Sequence, residues 1–365
     1  MTIDLAPGDI FRFFLPHTRL LQLLPCAAGN INQTWIVHFI SGNRHKAAVL
    51  QRLSPTVFPD PSVVMNNFRI VTRHCAKIAA QKRGYGQTVP VVPEAYSNPD
   101  GEDCMRDAEG GLWRLITYIG PSRTLTVVNA RQATAIGAML ARFHQGVSML
   151  PAAEIQDPLP GFHDTPTYLS HFDALSSERS PQNTEEEFCF ASIEHLRPLA
   201  GLLQANSSSH RQQLVHADPK CSNFLFAQGS DTVLSLIDLD TVRFGYLVHD
   251  LGDCLRSCCN QSGEEKNMQP HFDQDCFSAL LGAYLENGGR VLLSQSDQQI
   301  LLEAARLLIF ELGLRFFTDY LQGNTYFTYR YPKHNLHRAM VQFRLHDSLL
   351  AQEKQLRLAL AALLT

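Results

Sequence analysis

At Gly120-Pro121 the chain changes the period of its hydrophobic pattern, and that change limits the folds open to it. Before this point apolar residues come in short β-type runs. Residues 34–40 and 47–53 flank a turn at Ser41-Gly42-Asn43 and predict a hairpin, and two further strands are predicted over 89–95 and 112–119. A helix is predicted between them over residues 62–80, opened by Pro61, with Val63, Val64, Phe68, Val71 and Ile78 on a shared side. After Gly120-Pro121 come long helical patterns, over 130–145, 186–204, 297–321 and 335–364. One strand-like island interrupts them: residues 223–226 and 232–238, around a Gln228-Gly229-Ser230-Asp231 turn. The segment 151–183, rich in Pro, Ser and Asp, reads as a partly irregular surface insertion. A chain of 365 residues exceeds what one hydrophobic core usually serves. The expected architecture is therefore α+β and bilobal. A small β-rich lobe, residues 1–119, joins a mainly helical lobe, residues 120–365, through a linker near 118–123.

Charge and targeting signals remove several function classes. The net charge is −4 and no dense Lys/Arg cluster tracks a phosphate backbone, which argues against nucleic acid. Residues 1–16 hold no basic segment ahead of an apolar stretch, and the apolar run 358–364 is far below spanning length, so the reading is cytoplasmic with no membrane partner. Nine cysteines at scattered spacings read as reduced thiols. Cys254, Cys258 and Cys259, near His249 and Asp253, share a helical spacing that zinc could use, but no second ligand pair follows and a core role is the simpler reading.

Chemistry concentrates in His216-Ala217-Asp218-Pro219-Lys220-Cys221-Ser222-Asn223 and in Ile237-Asp238-Leu239-Asp240, which ends the predicted hairpin. Phosphoryl transfer requires a carboxylate to orient or deprotonate the attacking hydroxyl, and oxygen ligands that hold Mg²⁺ against the phosphates. Asp218 fits the first role. Asn223, five residues on, and Asp238 fit the second, because antiparallel strands return Asp238 to where Asn223 departed. Taken alone Asp218 is also a turn residue, since Asp-Pro is a common turn pair, and His216 reads as a packed support of the loop.

This run resembles the catalytic loop and metal-binding segment of protein kinases and of their aminoglycoside phosphotransferase relatives. Within that superfamily the chain looks closest to the N-acetylhexosamine 1-kinase-like branch, through residues 29–35, 49–53, 218–223, 237–242, 249–253 and 315–321. The resemblance implies a protein-kinase-like fold, ATP as co-substrate, Mg²⁺ as cofactor and a sugar as acceptor, phosphorylated at its anomeric hydroxyl. It implies that Lys220 offsets charge near the transferred phosphate and that Asp250 braces the catalytic loop. Asp240, Arg315, Asp319 and Asn32 are then candidates for gripping sugar hydroxyls. Asp319 with Arg315 also reads as an ordinary ion pair one helical turn apart, and Gly161-Phe162-His163-Asp164-Thr165, a segment that recurs in the same branch, as a helix start.

The nucleotide side departs from the general kinase pattern. No Gly-x-Gly-x-x-Gly is present; Gly29 stands alone, with Asn32 and Thr34 as side-chain donors to the nucleotide. Gln51 occupies the strand position of the usual lysine, and helix 62–80 offers no glutamate to pair with a lysine there, so both partners are replaced together. The rival readings are a kinase for another small alcohol (choline, homoserine or an aminoglycoside) and a binding protein that has lost catalysis. Oligomeric state is not encoded in any feature of the chain.

Overall fold

The computed structural model describes residues 6–26, 32–81, 91–203, 207–263, 265 and 268–365. Its N-terminal part holds α1 (Pro7–Phe14), β1 (Arg19–Pro25), β2 (Gln33–Ser41), β3 (Arg44–Leu53), α2 (Pro61–Gln81), β4 (Met105–Arg106) and β5 (Leu112–Thr117). The strands form one antiparallel sheet in the order β1-β2-β3-β5-β4. The predicted hairpin is β2-β3, with Ser41 opposite Arg44 and Gly42 at φ +60°, a left-handed turn position that glycine adopts without steric cost.

Side chains alternate across a strand, so the sheet has two distinct faces. Val37, Phe39, Ala48, Leu50, Trp113 and Leu115 point to one face, where they pack on Ile10, Phe11 and Phe14 of α1. The other face carries a row of three polar residues. Thr34 lies opposite Gln51, and Gln51 opposite Arg114. Helix α1 and strand β1 escaped the sequence reading, because each is short and supplies only four apolar side chains besides proline. The strand predicted over 89–95 is reduced to a single bridge between Ala95 and Ile116, since Pro93 has no N–H for a ladder; residues 89 and 90 lie outside the described residues.

Past Thr117 the chain enters the mainly helical part. In order it contains β6 (Ser122–Arg123), α3 (Ala130–Val147), α4 (Thr165–Ser176), α5 (Thr184–Leu196), β7 (Gln212–Val215), β8 (Phe224–Ala227), β9 (Val233–Leu236) and β10 (Arg243–Tyr246). Helices α6 (Leu247–Cys258), α7 (Gln274–Tyr284), α8 (Gln295–Gln299), α9 (Leu301–Leu321), α10 (His334–Leu350) and α11 (Glu353–Leu364) complete it. The predicted island is the hairpin β8-β9, flanked by β6, while β7 pairs with β10.

Residues 151–183 are partly irregular, as expected, and also hold α4, which Asp164 caps by accepting from Thr167 N and which packs on α9. Three predicted helical spans need correction: 186–204, 297–321 and 335–364. The span 186–204 stops being α-helical at Leu196, where Pro198 brings no N–H to the helical ladder. The spans 297–321 and 335–364 break, at Ile300 and at Ala351-Gln352, into two helices each. No helix of the described residues is long and apolar enough to cross a membrane.

Helices α6 and α9 cross at close range, and Gly252 permits it. A Cβ added there would lie 2.5 Å from the Ala304 carbonyl oxygen, and that backbone cannot swing aside as a side chain can. Gly252→Ala is therefore expected to lower stability by ~1–3 kcal/mol through overpacking, read as a lower midpoint in urea unfolding. An unchanged midpoint would show that the two helices can separate at no cost.

Candidate active site

The loop after β7 is held by its backbone. Asp250, fully buried on α6, accepts from His216 N through Oδ2 and from Ala217 N through Oδ1, both at 2.7 Å. His144 of α3 binds Asp250 Oδ2 at 2.8 Å and Tyr284 on its other ring nitrogen. Burial works against the Asp250 charge, but His144 and the N–H donors hold its pKa below the usual carboxylate range. His216 donates through Nε2 to Ile237 O and accepts at Nδ1 from Asp218 N. That pattern needs the neutral imidazole, and burial lowers the pKa of His216 accordingly. Asp250 and His216 thus shape the loop from behind.

The braced loop presents Asp218, Lys220 and Asn223 together. Lys220 Nζ donates to Asp218 Oδ2 at 2.5 Å. Asn223 Nδ2 donates to Asp218 O at 2.7 Å and to Asp218 Oδ2 at 3.3 Å. The amide oxygen of Asn223 accepts no hydrogen bond among the described residues and remains available to a cation. The hairpin register returns Ile237 N to Asn223 O at 2.9 Å, so the next residue, Asp238, arrives beside this cluster. Asp238 is held in the left-handed region, φ +67°. Burial and the neighbouring Asp240 carboxylate push its pKa up to about 7, against the opposing charges of Lys220 and Arg114.

The polar face of the N-terminal sheet contains a residue that the sequence reading missed. Arg114 is 1% exposed, and its guanidinium donates to Gln51 Oε1 at 3.0 and 2.8 Å and to Asp240 Oδ1 at 2.6 Å. It lies over the Phe68 ring of α2, with Cζ 4.8 Å from the centroid. Gln51 in turn donates to Thr34 Oγ1 at 3.4 Å. A cation therefore does stand beside Gln51, supplied from β5 instead of β3. Asn32 Nδ2 donates to the other oxygen of Asp240 at 2.7 Å. Of the block 29–35, residues 29–31, including Gly29, lie outside the described residues.

Two of the expected sugar grips have other tasks. Asp240 is 2% exposed with Arg114 and Asn32 on its two oxygens, so it joins the N-terminal sheet to the segment after β9 and is not open to an acceptor. Asp319 accepts from the backbone N–H groups of Thr325, Tyr326 and Phe327 and from Asn335 Nδ2, which fixes the loop after α9 and leaves no capacity for a sugar hydroxyl. It does not pair with Arg315. The Arg315 guanidinium instead sits among the rings of Phe162, Tyr168, Tyr326 and Phe327, with Cζ 5.1–5.7 Å from their centroids. It donates no hydrogen bond to protein among the described residues. Burial works against its charge, but Tyr168, Tyr326, Glu311 and Asp218 hold its pKa above the ordinary arginine value. Cys254, Cys258 and Cys259 are fully buried members of the core.

An antiparallel sheet ahead of a mainly helical part, with a braced loop and hairpin between its helices, is a kinase-like architecture. The chain belongs to the APH phosphotransferase enzyme family, whose model matches residues 22–284. A microcompartment-associated aminopropanol kinase has a similar structure, with a TM-score of 0.58 at 15% identity over 95% of this chain and 97% of that one. Choline kinase from Cryptosporidium parvum Iowa II gives 0.59 at 13% identity over 98% of both chains. The GDP complex of aminoglycoside 2'-phosphotransferase-IIIa gives 0.54 at 10% identity over 98% of this chain and 99% of that one. At such identities the likeness is one of fold.

Proposed function

We propose that this protein is an ATP-dependent kinase acting on a neutral polyhydroxylic small molecule, a sugar, with the anomeric hydroxyl of an N-acetylhexosamine as the candidate acceptor. The observation that carries the reading is Arg315. An aromatic box of four rings could bind an ammonium ion, but here the protein's own guanidinium fills it. A cationic acceptor such as choline or an aminoglycoside would meet like charge. Sugar hydroxyl or N-acetyl oxygens would meet unpaired N–H donors with aromatic faces beside them.

In this reading the nucleotide lies between residues 1–119 and residues 120–365, with Asn32, Thr34 and Gln51 on its phosphate side. Asp218 orients the acceptor hydroxyl and takes its proton, and Lys220 offsets charge gathering on the transferred group. The family implies Mg²⁺, and the oxygen-only pair of Asp238 and the Asn223 amide oxygen fits a hard cation. Burial and the neighbouring Asp240 carboxylate resist the charge on Asp238, so a cation held there would offset that penalty. When bound, Mg²⁺ would neutralise phosphate charge.

The test is ADP release from Mg²⁺-ATP over a panel of hexoses, N-acetylhexosamines, aminoglycosides, choline and homoserine. A sugar should raise ADP release. Arg315→Met should then raise the KM for that sugar about 10–100-fold, the loss expected for hydrogen bonds from a charged donor. Choline or an aminoglycoside as the sole substrate would overturn the sugar reading, and silence with no Mg²⁺-dependent nucleotide binding would favour a binding protein without catalysis.

A further inference from the structure

Four non-glycine residues among those described hold a positive φ: His163, Ala217, Asp238 and Asn324. Such backbone is costly, and it persists where surrounding contacts over-determine it. Two of the four touch each other. His163, at φ +61°, donates from Nε2 to the carbonyl oxygen of Ala217, at φ +67°, over 2.7 Å. Ala217 immediately precedes Asp218. On its other side the His163 ring binds Glu311 Oε1 through Nδ1 at 2.7 Å, and Thr165 Oγ1 donates to Glu311 Oε2 at 2.6 Å. His163, Thr165 and Glu311 are all buried, and His163 also packs on the rings of Phe162 and His249.

We propose that His163 and Glu311 form a positioning pair that locks Ala217 in its left-handed conformation and ties the Asp218 loop to helix α9, one turn from Arg315. Both ring nitrogens of His163 face oxygens, a carbonyl and a carboxylate. The imidazolium, with two N–H donors, satisfies both at once. Asp250 holds the N–H groups of His216 and Ala217 from α6; of the next peptide unit, His163 holds the Ala217 carbonyl from the segment ahead of α4, and His216 Nδ1 accepts from Asp218 N. The peptide that aims Asp218 is thus pinned on both polar atoms. The helix that carries the acceptor-facing arginine supplies the counter-charge, so acceptor and base share one rigid support.

The role in catalysis rests on the kinase reading above, but the clamp itself does not, and the experiment separates the two. Amide hydrogen exchange on the full-length protein would be followed in peptides covering residues 212–224 and 247–258, in wild type, His163→Leu and His163→Gln. His163→Leu should speed exchange at His216, Ala217 and Asp218 about 10-fold, the scale of one lost hydrogen bond, and leave 247–258 unchanged. His163→Gln, whose amide can still donate to Ala217 O, should exchange nearly as wild type does. With an acceptor in hand, His163→Leu should lower kcat with KM values for both substrates little changed, and His163→Gln should restore it. Unaltered exchange in His163→Leu would overturn the clamp, and so would a raised KM with an unchanged kcat. If wild type phosphorylates nothing while the exchange difference appears, the kinase reading fails and the clamp stands. Glu311→Gln covers the case in which His163→Leu does not fold: it should speed exchange in the same three amides, and wild-type exchange there would equally overturn the proposal.

Discussion

Asp218→Asn is expected to lower turnover by about 10²–10⁴-fold, the usual contribution of a positioned general base, while the unfolding midpoint and nucleotide affinity stay as in the wild type. The expectation follows from what asparagine keeps and what it loses. Its side-chain oxygen can still accept from Lys220 Nζ, and the Asn223 amide still reaches the residue 218 carbonyl, so the loop retains its shape. It cannot take a proton from the acceptor hydroxyl. Asp250 and His216 bind backbone atoms of the loop, His144 binds Asp250 from behind, and none of the three hydrogen-bonds to the Asp218 carboxylate. Steady-state rates with the best acceptor, beside thermal unfolding, check the prediction. Turnover within a few-fold of wild type would remove Asp218 as base, and a collapsed midpoint would make it a structural residue.

How much of this was legible in the sequence depended on whether a group acts through neighbours along the chain or across the fold. The β2-β3 hairpin and α2 were readable from local periodicity and from Gly42 and Pro61. The cluster of Asp218, Lys220 and Asn223 lies within six residues, so its spacing survives into space, and Asp238 follows by one hairpin. Asp319 was misjudged for the opposite reason. Its spacing from Arg315 places both on α9, but the loop of Thr325–Phe327 and Asn335 of α10 captures the carboxylate, and nothing nearby in sequence announces that. His163 was read as belonging to a helix start. Its partners lie 54 and 148 residues away, and only folding brings them together.

Arg114 is the sharpest case of a residue hidden by local pattern, and replacing it should have the largest effect on stability. In the run Leu112-Trp113-Arg114-Leu115-Ile116-Thr117 a lone arginine reads as a solvated outward position on an amphipathic strand. The second face of this sheet is not solvated, however. Helix α2 and the segment after β9 cover it, and both Arg114 and Asp240 are left with 2% of their side chains exposed. An ion pair so far from water gains little net stability from its formation, but removal of one partner strands the other as an uncompensated buried charge. Arg114→Met is therefore expected to cost ~3–5 kcal/mol in urea unfolding. Asp240→Leu alone should cost a similar amount, and the double variant much less than the sum, because an apolar pair needs no counter-charge. A loss below ~1 kcal/mol for Arg114→Met would show that water reaches the pair, as at a surface salt bridge. The same cycle bears on function. The general kinase pattern places its cation on the third strand and its acid on the following helix, whereas here the cation comes from β5 and the acid from the segment after Asp238. If the double variant folds but binds Mg²⁺-nucleotide poorly, the Arg114–Asp240 pair holds Asp238 and Gln51 in register for the phosphates; if it binds normally, the pair serves only to join the sheet to the helical part.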